Sequence, residues 1–444
     1  MYCDLHNHLY GCLPAETLLR IGKGNQKPRW EIYIDSYEKA YGLKIKPQTF
    51  FEEYSDIKKF KTLYHFKEKS PFLHFQAKFN LIIALIEFHE KEIREVSRDV
   101  VFSHALEDVS YAEYRLMFAK EETKDGFLRK IMASCEGMIE GERKSKSEGK
   151  EIKARLVMSI HRDIHYEKHY DWMKNWMEKE NIIKDYLVGI DFCNVEEKFP
   201  PKDKKNFFAQ IIRDNIAEQK TALSILYHVG ESFRDKTPFS AVRWVLESAM
   251  NGAHRLGHAL ALGISPDYFL SEERTELVSE RLDQIHYDLE NYQAISEFGP
   301  YFLKENLELE RAKLLKCDPS ELITMNMDLD MIRYLETFQN YSMSNISRTD
   351  CVIECCPTSN LFIGMLETLK DHPIARFYEN NIKLTIGSDD PGLFDTKLVY
   401  EYERAHESGI PETALKQIRE KSFEYTSTIL SGREIVDQLN QGLN

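Results

Sequence analysis

No uninterrupted apolar run in the sequence approaches the ~18 residues of a membrane-spanning helix, so no membrane anchor is expected. Asp4 and His6 stand where a secretory signal would need an apolar segment. Cysteine pairs at metal-binding or redox spacing are also missing: Cys3, Cys12, Cys135, Cys193, Cys317, Cys351, Cys355 and Cys356 form no CxxC. Most of them lie in apolar strand-like runs, where cysteine serves as a small hydrophobe, and a reducing cytoplasm is the expected location. Positive charge is in deficit, the net charge being −14, which argues against a broad basic face and general nucleic-acid binding. No Gly/Ser-rich linker, low-complexity tract or internal repeat divides the 444 residues.

What the sequence does contain is a rhythm of short apolar runs and helix-length segments. The strand-like runs are Tyr2–His6, Val109–Met117, Arg155–Ile160, Leu187–Phe192, Ala222–Tyr227, Arg255–His258, Cys351–Cys355 and Ile382–Gly387. Between most of them lie helical stretches such as Gly126–Glu140, Tyr166–Glu180, Lys205–Lys220 and Ser240–Asn251. Eight βα alternations predict an α/β fold, a closed (β/α)8 TIM barrel with helical insertions; a doubly wound open sheet is the alternative. The organisation expected is one catalytic domain over residues 1–444 with insertions near 23–69 and 264–349.

The first insertion carries eleven Lys/Arg against seven Asp/Glu in an otherwise acidic chain. It reads as a solvated loop with short helices, or as a locally basic segment that attracts an anion. Phe72–Val96 then shows helical periodicity, with Phe75, Phe79, Ile82, Ile83 and Ile86 on one apolar face. The second insertion has helix-type composition over Ser271–Tyr292 and Glu305–Lys316. Three uses are open to it: covering the site, supporting a homo-oligomer, or extending the helical shell.

The chemically suggestive residues all fall at or just after the carboxyl ends of predicted strands, where barrel enzymes keep their sites. His6 and His8, at i and i+2 on an extended segment, point to one side. His228 follows strand five, and Gly230 lets the chain turn so that Glu231 reaches the same pocket. His258 closes strand six, and Asp389 and Asp390 follow strand eight. His228 alone reads as a hydrogen-bonded core histidine and His6/His8 alone as a surface pair; their convergence argues otherwise. Three histidines and an aspartate suit a zinc ion with a position left for water, and imidazole dominance favours zinc over magnesium. Such a site supports metal-assisted hydrolysis, with His258 taking or orienting the water's proton, Glu231 protonating a substrate ring nitrogen, and Asp390 hydrogen-bonding the substrate.

Five stretches resemble the adenosine and AMP deaminase family of metal-dependent barrel hydrolases: Asp4-Leu5-His6-Asn7-His8-Leu9-Tyr10-Gly11, Tyr227-His228-Val229-Gly230-Glu231, Arg255-Leu256-Gly257-His258, Cys356-Pro357-Thr358-Ser359-Asn360 and Ser388-Asp389-Asp390-Pro391. They stand in the family's order from residue 4 to residue 391. The resemblance implies one Zn2+ per chain held by His6, His8, His228 and Asp389. It also implies Glu231 as proton donor to adenine N1, His258 as the residue that activates and orients the water, and Asp390 as a partner of adenine N7. Phe75-Gln76-Ala77-Lys78-Phe79 is similar to the family's substrate-covering helix, so that Phe75 and Phe79 would wall the purine. The expected activity is hydrolytic deamination of adenosine, deoxyadenosine, AMP or dAMP, in purine metabolism. The readings kept beside it are another metal-dependent amidohydrolase and a catalytically silent oligomeric binding protein on the same fold.

Two departures bear on the substrate. The family commonly places an acidic residue two positions after the second histidine, understood to bind the ribose 5′-hydroxyl, and here that position is Tyr10. Where the family commonly shows a glycine after strand four, this chain has Asn194. A carboxylate at position 10 would repel a phosphate and a tyrosine need not, which, with the basic first insertion, tilts the expectation toward a 5′-phosphorylated substrate.

Overall fold

A computed structural model describes residues 1–434 of the chain. Eight parallel strands lie in the order β1 (Tyr2–His8), β2 (Val109–Met117), β3 (Lys153–Ser159), β4 (Leu187–Asp191), β5 (Ser224–Val229), β6 (Arg255–His258), β9 (Val352–Cys355) and β10 (Lys383–Ile386). The ring closes where Asn7 bridges Asp389: His8 N–H donates to Asp389 O at 2.9 Å and Asp389 N–H to His6 O at 2.8 Å. The fold is therefore the expected (β/α)8 barrel, and all eight strand-like runs are barrel strands. β4 and β5 are buried along their whole length, because one face meets the helical ring and the other the barrel interior; that is why they read as continuous apolar runs. Two of the outer helices start on side-chain caps, Thr123 for Lys124–Ser147 and Thr237, followed by a first-turn proline, for Pro238–Met250.

The barrel interior beneath the carboxyl ends holds charges where aliphatic layers are common. Glu113, Arg115, Asp191, Arg255 and Glu354 are all buried. Arg255 bonds Glu113 and, through Nε, Glu354 at 2.7 Å, while its Nη1 donates to Tyr425 O at 2.8 Å. Glu113 in turn accepts from Ser427, from its N–H at 2.7 Å and its hydroxyl at 2.6 Å. The segment around residues 425–427 thus completes the pairing of the interior charges. Opposite signs at hydrogen-bond distance offset a desolvation cost that each charge alone would impose.

Two local expectations are corrected. Phe72–Val96 is two helices, Phe72–Leu85 and Glu90–Leu106, because the Glu92 carboxylate accepts the N–H groups of Glu87 (3.0 Å) and Phe88 (2.8 Å) and His89 caps the second helix. Phe88 consequently sits at φ 59°. In the second insertion the start of the expected Ser271–Tyr292 helix is strand β7 (Glu273–Leu277), paired antiparallel with β8 (Leu322–Asn326), and the helix begins only at Val278. The pairing partner lies some fifty residues away, which local composition does not register. The insertion's last helix, Leu329–Ile346, docks on the barrel through Gln339, whose amide donates to Ala261 O and Ile264 O at 3.0 and 2.9 Å. Among the described residues no helix is long and apolar enough to cross a membrane.

Candidate metal and proton-transfer site

β1 carries His6 and His8, β5 carries His228 and, beyond Gly230, Glu231, β6 ends on His258, and Asp389 and Asp390 follow β10. The strands bring these side chains together. The His6 ring centroid lies 4.8 Å from those of both His228 and His258 and 5.7 Å from His8, and His8 is 5.3 Å from His228. Asp389 Oδ1 stands 3.3 Å from His8 Nε2 and 3.6 Å from His6 Nε2. Ligand atoms of His6, His8 and His228 fall within 4.8 Å of one another, as do those of His6, His258 and Asp389.

The Nε2 atoms of His6 and His228 are buried with no hydrogen-bond partner among the described residues. Buried nitrogens without partners are costly, and several sharing one space with a carboxylate suit a cation of mixed N/O preference. The opposite ring nitrogens are fixed: His6 Nδ1 is 2.7 Å from Glu354, and His228 Nδ1 is 3.0 Å from Asp191. Arg115 spans these two carboxylates, at 2.5 Å from Glu354 and 3.5 Å from Asp191. Histidines held this way present Nε2 as acceptor, the form a metal needs.

Electrostatics sort the carboxyl groups. Burial, aided by the charge of Asp389, pushes Glu231 up to about 8, so at neutral pH it holds a proton. Burial opposes ionisation of Asp389, yet the His6 ring beside it, followed by His258 and His8, keeps its carboxyl well below the usual range. Asp390 is pushed well above that range by burial and by Asp389. Two adjacent carboxyls are thus driven apart, Asp389 toward the anion and Asp390 toward the neutral acid. Burial also holds His258 well below the ordinary imidazole range. Its Nε2 is 3.5 Å from Glu231 Oε1, and the Asn360 amide nitrogen stands 2.9 Å from its Nδ1. Donation to Nδ1 leaves the ring proton on Nε2, facing Glu231.

The backbone is arranged for this at a cost. His258 (φ 66°) and Asp389 (φ 60°) occupy the left-handed region that side chains with Cβ avoid. Gly230 turns at φ 69°, and its N–H and that of Glu231 donate to the buried Glu196 carboxylate at 3.0 and 3.3 Å, which fixes the loop bearing Glu231. Gly11 lets the chain pass close to Asp390: a Cβ there would lie 1.6 Å from Oδ1.

Of the remaining expected substrate contacts, Phe75 packs on Phe394 with ring centroids 5.8 Å apart, near Asp390, and Phe79 reaches Phe75 at 6.0 Å. Tyr10 packs against Phe88 at 4.8 Å, and its buried hydroxyl has no partner among the described residues. Asn194 is exposed and adopts φ 74°, the conformation a glycine would take. Sequence reasoning missed Asp191, Glu196, Glu354, Arg115 and Arg255. For all but Glu196, which lies in the loop after β4, the available signal was charges of both signs inside strands that are otherwise apolar.

Comparison with known proteins fits this picture. Residues 336–438 match the family model described as Adenosine deaminase. Over 61 residues the chain is 38% identical to an adenosine deaminase of Plasmodium gallinaceum, a stretch that is 14% of this chain and 17% of that relative. Most of each chain therefore lies outside the matched stretch. Among solved structures, the apo N6-methyl-AMP deaminase from Arabidopsis thaliana superposes with a TM-score of 0.53 at 17% identity, covering 100% of this chain and 97% of that one. An Arabidopsis protein named ADAL, complexed with IMP, does so with a TM-score of 0.54 at 18% identity, covering 98% and 95%.

Proposed function

We propose, from the similarity of this chain to adenosine deaminases and from the geometry of its histidine cluster, that it is a zinc-dependent hydrolase replacing the 6-amino group of an adenine nucleoside or nucleotide by oxygen, with release of ammonia. The observation that carries the reading is the meeting of His6, His8, His228 and Asp389 with a protonated Glu231 beside His258. The four ligand residues would hold the ion, which when bound lowers the pKa of its water toward neutrality. His258 donates a hydrogen bond from its Nε2–H to the water's oxygen and orients it for addition at C6. Glu231 gives its proton to N1 as the water's oxygen adds to C6, the water's first proton having gone to solvent. The Glu231 carboxylate then takes the proton of the new C6 hydroxyl and delivers it to the amino nitrogen, which leaves as ammonia. Asp390, kept neutral, donates to N7, and Phe75 and Phe79 line the purine side of the site.

The test is ammonia release, with the accompanying ultraviolet shift, from zinc-loaded protein offered adenosine, deoxyadenosine, AMP, dAMP and ATP. Glu231→Gln is expected to keep about one zinc per chain and lose at least ~10²-fold in kcat. Silence of the wild type on all five compounds, or near-normal turnover by the variant, would overturn the scheme.

A further inference from the structure

A primary amide presents its nitrogen and its oxygen in nearly the same shape, so the Asn360 side chain fits against His258 Nδ1 with either end. Only the nitrogen leaves the His258 proton on Nε2; the oxygen would draw it to Nδ1 and turn a lone pair toward the other histidines. What fixes the choice is a further buried histidine that the mechanism above does not use. His372 stands just ahead of the helix Ile374–Glu379, with its Nε2 3.0 Å from Asn360 Oδ1. Pro373 between them has no N–H, so the next donor is Ile374, whose N–H donates to His372 Nδ1 at 3.1 Å. A backbone N–H can only donate.

The chain of bonds therefore runs in one direction. His372 Nδ1 is occupied as an acceptor, so its single ring proton sits on Nε2 and is donated to Asn360 Oδ1. With Oδ1 as the acceptor, the amide nitrogen is the end turned to His258, and it donates to Nδ1 at 2.9 Å. His258 keeps its proton on Nε2, 3.5 Å from Glu231 Oε1. All three side chains are buried, which shields these bonds from exchange with solvent. Burial also holds His372 down to about 3, so it stays neutral and its Nδ1 stays an acceptor. The direction bears on the metal. Two groupings bring ligand atoms within 4.8 Å of one another, His6 with His8 and His228, and His6 with His258 and Asp389. An imidazole protonated on Nε2 has no lone pair there to give, so His258 drops out of the second grouping. Resting on the deaminase reading, we infer that His372 is a positioning residue: through Asn360 it locks His258 as a proton donor at Nε2 and withholds it from the metal.

The experiment reads the tautomers in metal-free protein carrying isotopically labelled histidine, and turnover in zinc-loaded protein. Long-range proton–nitrogen correlation spectra distinguish Nδ1–H from Nε2–H rings, with His258 and His372 assigned by the signals missing from His258→Gln and His372→Asn. Both rings are expected in the Nε2–H form in the wild type, and an Nδ1–H form of either overturns the inference whatever the variants do. His372→Asn keeps an acceptor for Ile374 N–H, its Oδ1 standing where Nδ1 stood, and removes the donor to Asn360. It is expected to bring up the Nδ1–H form of His258 and to lower kcat at least ~10-fold, with KM within threefold of wild type. Either readout held at its wild-type value overturns the inference: a lower kcat with His258 still wholly Nε2–H is a structural effect, and a changed tautomer with normal kcat removes the positioning role. If His372→Asn does not fold, Asn360→Asp, which only accepts, takes its place. It must put a proton on His258 Nδ1, and retention of the Nε2–H form alone overturns the inference. If the wild type deaminates none of the compounds offered, the deaminase reading fails on its own. The spectra then decide the lock, upheld by a His258 proton that moves in the variant and overturned by one that does not.

Discussion

Replacing Glu354 by glutamine removes one negative charge from the point where His6, Arg115 and Arg255 converge, all with side chains fully withdrawn from solvent. The carboxylate accepts from His6 Nδ1 at 2.7 Å, from Arg115 at 2.5 Å and from Arg255 at 2.7 Å. A glutamine keeps one acceptor oxygen and turns an NH2 toward a guanidinium, so the carboxylates left are Asp191 at 3.5 Å for Arg115 and Glu113 for Arg255. Removing one partner of a buried ion pair costs about 3–5 kcal/mol. The second consequence is local: without a full carboxylate, His6 no longer has its proton fixed on Nδ1, and loss of such a partner weakens metal binding about 10–100-fold. Urea unfolding of metal-free protein reads the first effect and zinc competition against a chromophoric chelator reads the second. The reasoning is refuted if Glu354→Gln unfolds within 1 kcal/mol of wild type and binds zinc within twofold of it, since the buried charges would then be matched some other way.

Further outcomes follow from other parts of the molecule. Gly11→Ala places a Cβ 1.6 Å from Asp390 Oδ1, so the carboxyl must move; with displacement near 1 Å, turnover is expected to fall about 10²-fold in a folded, zinc-binding protein. Steady-state kinetics within threefold of wild type would show that Asp390 has no such role. Asp288, buried in the second insertion, is raised by burial to about 6, against the opposing charge of Arg281. A raised carboxyl binds protons better in the folded state, so its contribution to stability is fullest below pH ~4 and is lost as pH rises through 6. At 1.36 kcal/mol per unit the span is roughly 3 kcal/mol. Asp288→Asn should gain relative to wild type over that window, and a difference in unfolding free energy that stays flat from pH 4 to 7 would contradict the assignment.

The strands and the histidines were legible because both are written locally. β2 and β6 coincide with their sequence-predicted bounds, and His6, His8, His228 and Asp389 meet because each closes or follows a strand of one ring. What escaped is non-local. Glu354 and Arg115 are far apart in the chain and meet only when the barrel closes, so each alone reads as an ordinary break in an apolar run. β7 escaped for the same reason, its identity depending on β8. The excess of lysines in residues 23–69 was visible, but its meaning depended on whether the fold gathered or dispersed them; it gathers several around one cavity. Tyr10 was legible as a departure, but its packing on Phe88, across the turn between two helices, was not.

The contact of Ser427 with Glu113, and of Tyr425 with Arg255, ties the histidine cluster to the timing of synthesis. A ribosome delivers β1, β2, β5 and β6 long before it delivers residues 425–427. Until those residues emerge, Glu113 and Arg255 lack acceptors and donors that no earlier segment supplies, and Glu354, which orients His6, shares Arg255 with them. The nascent barrel can assemble most of its wall, yet the floor under its first ligand is set last. A chain stopped before this point would carry every candidate ligand and still lack the hydrogen bonds that complete the network behind His6.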